Sequence, residues 1–105
     1  MYYKKIRNDK VRLPFTSKRS GHTFNQFTIR VKNRRKLELH LKKHKIPYGI
    51  YYSMPMYKYN AYKNNNYQAL PMAEKVSKEC LSIPIYPELP TKHVIKISDV
   101  LNNYE

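Results

Sequence analysis

HTFNQFTIRVKNRRKLELHLKKHKI, residues 22–46, changes its period halfway along, and that change decides the fold. In the first part Phe27, Ile29 and Val31 alternate with Gln26, Thr28 and Arg30. A period of two puts the apolar side chains on one face, as in a half-buried strand. From Asn33 onward Leu37 and Leu41 lie four apart, with Arg, Lys and His on the remaining positions. That spacing is one apolar stripe of a helix, and Asn33 is the expected N-cap because its side chain can accept from a free amide of the first turn. Lys42, Lys43, His44 and Lys45 fall in the last turn, where the helix dipole favours cations, and Pro47 stops the run. A strand running straight into a helix in so short a chain points to an α+β fold.

Working outward, MYYKKIRNDKVRLPF (1–15) shows no clean period, and Pro14 ends whatever begins there. Downstream, YGIYY (48–52) is short, aromatic and β-friendly, and is expected to be the second strand. Ser53 to Leu70 then reads as one long loop, a length that is usually functional or disordered. PMAEKVSKECLSIP (71–84) starts with Pro71, suited to a first helical turn, and Glu74 complements the dipole. Ala73, Val76, Cys80 and Leu81 give this segment an apolar stripe, so a helix is expected. Three prolines in the seven residues 84–90 allow only an extended segment. TKHVIKISDVLNNY (91–104) reads as a helix capped by Thr91, burying Val94, Ile97, Val100 and Leu101. The expected architecture is a single α+β domain over 1–105, with helices packed on one face of a small antiparallel-type sheet.

Composition limits the function. The 105 residues carry 21 Lys+Arg against 7 Asp+Glu, a formal net charge of +14. Residues 1–45 hold fifteen basic and two acidic side chains, and residues 46–105 hold six and five. A basic half is the footprint of a nucleic-acid binder or simply a solvated lysine-rich surface. Tyr51, Tyr52, Tyr57, Tyr59 and Tyr62, interleaved with Lys58 and Lys63, could stack on bases, but the RNP1, zinc-finger and KH patterns are missing. With only Gly21 and Gly49, no phosphate-cradling loop or dinucleotide fingerprint can be built. No metal site is expected, because His40 and His44 lie one turn apart without a third ligand. The lone Cys80 argues against disulfides and reads as a small buried hydrophobe. No apolar run approaches a membrane span and no signal peptide opens the chain, so the expected address is the cytoplasm.

Three segments in order carry a resemblance. GHTFNQFTIRVKNRRKLELHLKKHKI, YGIYYSMPMYKYNAY and LPMAEKVSKECLSIPIYPEL together resemble the C-terminal portion of the DegT/StrS sugar aminotransferases, most clearly over residues 20–101. The family strand F-x-I-R corresponds to Phe27–Arg30, and its N-R-D helix to Asn33, Arg34, Leu37, Leu41 and Ile46. Its loop H-Y-P-x-P-L-H-x-Q-P-A-Y corresponds to Tyr51–Tyr62, with Tyr52, Pro55, Ala61 and Tyr62 kept. Its closing segment is kept at Pro71, Ala73, Glu74, Leu81, Ser82, Pro84, Pro87 and Leu89. Arg35 replaces the family Asp, Lys45 the Gly before Ile46, and Tyr51, Tyr57 and Tyr59 the loop's two His and its Gln.

The resemblance implies fold type I, a pyridoxal phosphate (PLP) cofactor, and amino transfer from a glutamate-type donor to a keto-sugar nucleotide, as in polysaccharide biosynthesis. It implies that Tyr51, Tyr52 and Tyr57 belong to a substrate-pocket wall. The family's Schiff-base lysine, pyridine-pairing Asp and Gly-rich stretch lie in a large N-terminal domain. None of the fifteen lysines here has that context, so no catalytic or cofactor-binding residue is assigned, and PLP binding by this chain alone is not expected. The expected partner is a large-domain aminotransferase chain or a second copy in a homodimer, with no membrane and no nucleic acid. The chain is then one piece of a split enzyme or of a truncated one. A basic nucleic-acid-binding module is the alternative.

Overall fold

A computed structural model describes residues 1–62 and 66–105 of the chain. The elements run α1 (Tyr2–Lys5), β1 (Phe27–Arg30), α2 (Arg34–Lys43), two 3-10 turns (Met56–Lys58 and Asn60–Tyr62), α3 (Pro71–Glu79), β2 (Cys80–Ile83) and α4 (Thr91–Asn102). Four helices and a two-stranded antiparallel sheet make a small α+β domain.

The alternation in β1 does what its period requires. Phe27 pairs with Ile83 and Ile29 with Leu81, and these four side chains enter the core. Thr28 pairs with Ser82 and Arg30 with Cys80 on the opposite face. There the Thr28 and Ser82 hydroxyls share a 2.8 Å hydrogen bond, and Arg30 reaches Glu79 at 2.7 Å. The core is closed by Leu37 and Leu41 from α2 and by Val94, Ile97, Val100 and Leu101 from α4. Ile29, Leu37, Leu41, Leu81 and Leu101 have no exposure. Each such burial contributes about 1.5–3 kcal/mol.

Asn33 caps α2 as expected, its side chain accepting from the Lys36 amide at 3.1 Å. The helix stops at Lys43, before Pro47 can act. Lys45 sits in the left-handed region (φ 56°), while the Ile46 amide donates to Leu41 O and the Lys45 amide to Lys42 O, each at 3.0 Å. This is the Schellman arrangement, with Ile46 packing back onto Leu41 in the core.

The second strand is Cys80–Ile83, not 48–52. A short apolar run reads equally as helix or as buried strand, and CLSI is buried at all four positions. Pro84 favours an extended Ile83, and the helix begun at Pro71 ends at Glu79, before the break expected at SIPIYPELP. Of the 48–52 segment only Gly49 joins the sheet, exchanging bonds of 2.9 and 2.7 Å with Ser82 before the chain turns outward. Arg12 makes a matching bridge to Arg30 on the far side, with both bonds at 2.9 Å. β2 is thus paired along both edges, by β1 and by Gly49, while the core covers Leu81 and Ile83 on one face and the Tyr51 and Tyr52 carbonyls lie over Cys80 on the other.

Two further readings are corrected. Thr91 is the first residue of α4 and not its cap: Pro90 holds that position and no side chain caps the helix. The N-terminal fifteen residues are integral to the fold although their period is irregular. Tyr2, Ile6 and Val11 are buried in the core, and the Tyr2 hydroxyl donates to Pro84 O at 2.7 Å. Asn8 Nδ2 donates to the carbonyls of Leu101 (2.8 Å) and Tyr104 (2.6 Å), satisfying groups that the end of α4 leaves open. Asn102 answers through its side chain, donating to Lys5 O at 2.9 Å and accepting from the Arg7 amide at 2.7 Å.

Candidate functional site

The tyrosine-rich loop leaves the sheet at Gly49 and crosses the polar face. Glycine leaves room for a close approach: a Cβ on Gly49 would stand 2.6–2.7 Å from the far end of the Tyr51 side chain. Tyr51 therefore lies back across the strand edge, and its ring meets that of Tyr52 edge-on, 5.9 Å away at 79°. The peptide between them is cis. Beneath the turn, buried Cys80 places its sulfur 3.8 Å from Tyr52 O and 4.0 Å from Tyr51 O. An open cleft of about 430 Å³ lies alongside, lined by Gln26, Tyr48, Gly49, Tyr51, Ser82 and Tyr86 among others.

Farther along, the loop is anchored to α3 through Glu74. The Tyr57 hydroxyl donates to Glu74 Oε1 at 2.5 Å and accepts from the Leu70 amide at 3.2 Å. Lys58 Nζ stands 3.1 Å from Glu74 Oε2. The hydrogen bond from Tyr57 is the main reason the Glu74 carboxyl is held below its ordinary range, with Lys58 adding to it. One carboxylate thus pins a 3-10 turn whose first residue, Met56, remains exposed, as does Tyr59 just beyond it.

The three tyrosines of the expected pocket wall occupy different situations. Tyr51 lines the cleft and is half exposed, Tyr52 stands next to it at 69% exposure, and Tyr57 is half-buried with its hydroxyl engaged by Glu74. Tyr51 and Tyr52 come together, whereas Tyr57 holds the loop in place. Sequence reasoning missed Tyr48 and Tyr86 as cleft residues. Tyr48 was visible only as a neighbour of the loop, and Tyr86 lies between prolines in a segment read as a connector. It also read Glu74 as a dipole partner, although Glu74 belongs to the closing motif that carries the resemblance. Lys63, one of the two lysines interleaved with the tyrosines, lies outside the described residues.

Among the described residues between 51 and 72, Tyr51, Tyr52, Met54, Met56, Tyr59, Tyr62, Tyr67, Leu70 and Met72 are exposed.

The described residues do not fit a PLP site. A Schiff-base lysine needs a shielded position that depresses its pKa, yet none of the described lysines is buried, and the cleft beside Tyr51 contains neither a lysine nor a carboxylate. Among the described residues no group of three His, Cys, Asp or Glu could hold a metal ion. His40 and His44 do approach, with ring centroids 4.8 Å apart, but His40 Nε2 is occupied by Val100 O at 2.8 Å. Among the described residues no helix is long and apolar enough to cross a membrane.

The small α+β domain thus carries an exposed aromatic loop beside an open cleft. The profile of the DegT/DnrJ/EryC1/StrS aminotransferase family matches residues 1–102, and the chain belongs to that family. A dTDP-3-amino-3,6-dideoxy-alpha-D-galactopyranose transaminase of Aneurinibacillus thermoaerophilus is 28% identical over 103 residues, which is 98% of this chain and 28% of that protein. A "pleiotropic regulatory protein" of Geobacillus stearothermophilus is 40% identical over 70 residues, 65% of this chain and 19% of the relative. The crystal structure of Streptomyces venezuelae DesV in complex with a ketimine intermediate superposes with a TM-score of 0.85 at 27% identity, over 89% of this chain and 26% of that one. The chain therefore spans about a quarter of the length of the proteins it matches, and corresponds to a fragment of a larger aminotransferase.

Proposed function

We propose that residues 1–105 form one domain, the small C-terminal domain of a fold type I sugar-nucleotide aminotransferase, with its helices packed on one face of the sheet. In this reading it contributes Tyr51 and Tyr52 to the substrate wall, and Tyr57 holds that wall in place. A large domain, on the same chain or on a partner, supplies the PLP, the Schiff-base lysine and the pyridine-pairing carboxylate. The whole enzyme moves an amino group from a glutamate-type donor to a keto-sugar nucleotide in the cytoplasm. The aromatic surface from Tyr51 to Met72 is the face that the large domain or a second copy covers.

The observation that carries this reading is the combination of a folded, anchored tyrosine loop with the lack of any shielded lysine among the described residues. The loop has the form of a pocket wall, while the reacting groups have no place beside it. The test is turnover of a keto-sugar nucleotide with PLP and glutamate once a large domain is supplied. Tyr52→Ala should then lower turnover by about tenfold or more while leaving the unfolding curve unchanged, because this side chain is mostly exposed. Unchanged turnover defeats the role given to Tyr52.

A further inference from the structure

A second cleft, of about 710 Å³, opens between the N-terminal segment, the junction of β1 and α2, and α3, sharing no lining residue with the one beside Tyr51. Its walls carry six cations, Lys10, Arg12, Arg30, Lys32, Lys36 and Lys75, against three carboxylates, Asp9, Glu79 and Glu105. Arg30 and Glu79 neutralise each other through the 2.7 Å ion pair. That leaves five cations facing two side-chain carboxylates, an excess of positive charge around one concavity. None of the five makes an ion pair among the described residues.

The setting concentrates this field. α2 begins at the cleft with Asn33, so the positive end of the helix adds to the cations. Tyr104 forms part of the wall, its hydroxyl donating to Asn33 O at 3.1 Å and its carbonyl accepting from Asn8. Burial raises the Tyr104 phenol, which keeps it a neutral donor. The wall is thereby fixed by hydrogen bonds, while Lys10, Arg12, Lys32, Lys36 and Lys75 are exposed and free to converge. Five lysine and arginine side chains from the N-terminal segment, the β1–α2 junction and α3 line one concavity.

We propose that this cleft binds a small anion of linked phosphates, either free pyrophosphate or the diphosphate of a nucleotide. The excess of positive charge around the cleft favours an anion that carries several negative charges. The volume lies in the range of small-ligand pockets and exceeds what a single phosphate fills. Lysines act there as point charges, and Arg12 can present two parallel N–H groups to adjacent phosphate oxygens.

The test is titration of the ¹⁵N-labelled chain with sodium pyrophosphate at fixed ionic strength. Saturable shifts are expected at Lys10, Arg12, Lys32–Lys36 and Lys75. Lys36→Ala and Lys75→Ala should each weaken binding about tenfold. Lys43→Ala, in the last turn of α2 and outside the cleft, should change it by less than about twofold. Orthophosphate should bind more weakly than pyrophosphate. A nucleoside diphosphate binding more tightly than pyrophosphate identifies the ligand as a nucleotide, and equal affinity identifies the phosphates alone. Shifts that do not saturate, or an equal loss in Lys43→Ala, overturn the proposal, because the response is then general counterion exchange.

Discussion

Lys45 is the position where the chain departs from its family in a way that backbone geometry can measure. The family places glycine before the residue matching Ile46, and the structure holds Lys45 at φ 56° in the Schellman turn closing α2. A side chain in the left-handed region costs about 1–2 kcal/mol, because its Cβ crowds the following carbonyl. Glycine removes that cost but also loosens the unfolded chain, which returns about 0.4–1 kcal/mol. Lys45→Gly should therefore stabilise the domain by about 0.5–1 kcal/mol, or about 3–6 °C in Tm for a domain near this size. Thermal and urea unfolding followed by circular dichroism measure it. Lys45→Ala is the control: it removes the charge beside Lys42, Lys43 and His44 but keeps the Cβ, so it should gain little. An equal gain in both variants would assign the effect to charge repulsion, and a loss in Lys45→Gly would refute the turn-strain reasoning.

Other consequences follow from single contacts. Glu74 is held below its ordinary range, so the anchoring of the loop is complete above the unfolded pKa and is lost as pH falls through the lower folded value. Tyr57→Phe should return the Glu74 titration, followed by carboxyl NMR shifts, toward that of a free glutamate; an unchanged titration would remove Tyr57 as the cause. Burial, helped by the nearby Tyr86, raises the Tyr2 phenol from 10.0 to about 12. Its contribution to stability is full below pH 10 and fades as pH rises to about 12, so Tyr2→Phe should flatten the alkaline limb of a stability–pH curve. Gly49→Ala should displace the Tyr51 ring while costing little stability, since the atoms it meets are the far end of one side chain. A crystal structure of that variant with Tyr51 unmoved would contradict the packing described.

Elements with a strong local period were legible in the sequence. β1 and α2 fell where Phe27–Ile29 alternation and Leu37–Leu41 spacing put them, and Asn33 caps as its chemistry requires. The pairing partner of β1 was not legible. YGIYY has strand propensity, but its tyrosines are exposed; CLSI looked like the tail of a helix, and burial between β1 and Gly49 made it the strand. Propensity is local, whereas strand pairing is decided by what lies on both sides. The N-terminal fifteen residues hid their role because three isolated side chains, Tyr2, Ile6 and Val11, tie them to the core without a regular period. At the site, the rings of Tyr51 and Tyr52 meet edge-on, 5.9 Å apart. The anchoring of Tyr57 by Glu74 joins positions 17 apart, which no local pattern encodes.

The central claim is that the reacting lysine of the proposed aminotransferase comes from outside these 105 residues. The direct measurement is borohydride trapping of the chain after incubation with one equivalent of PLP, followed by peptide mapping. The account predicts low, scattered labelling across exposed lysines, no discrete aldimine band in the visible range, and labelling that a competing free amine abolishes. Stoichiometric trapping on one lysine, with a resolved band that resists the competing amine, would contradict it.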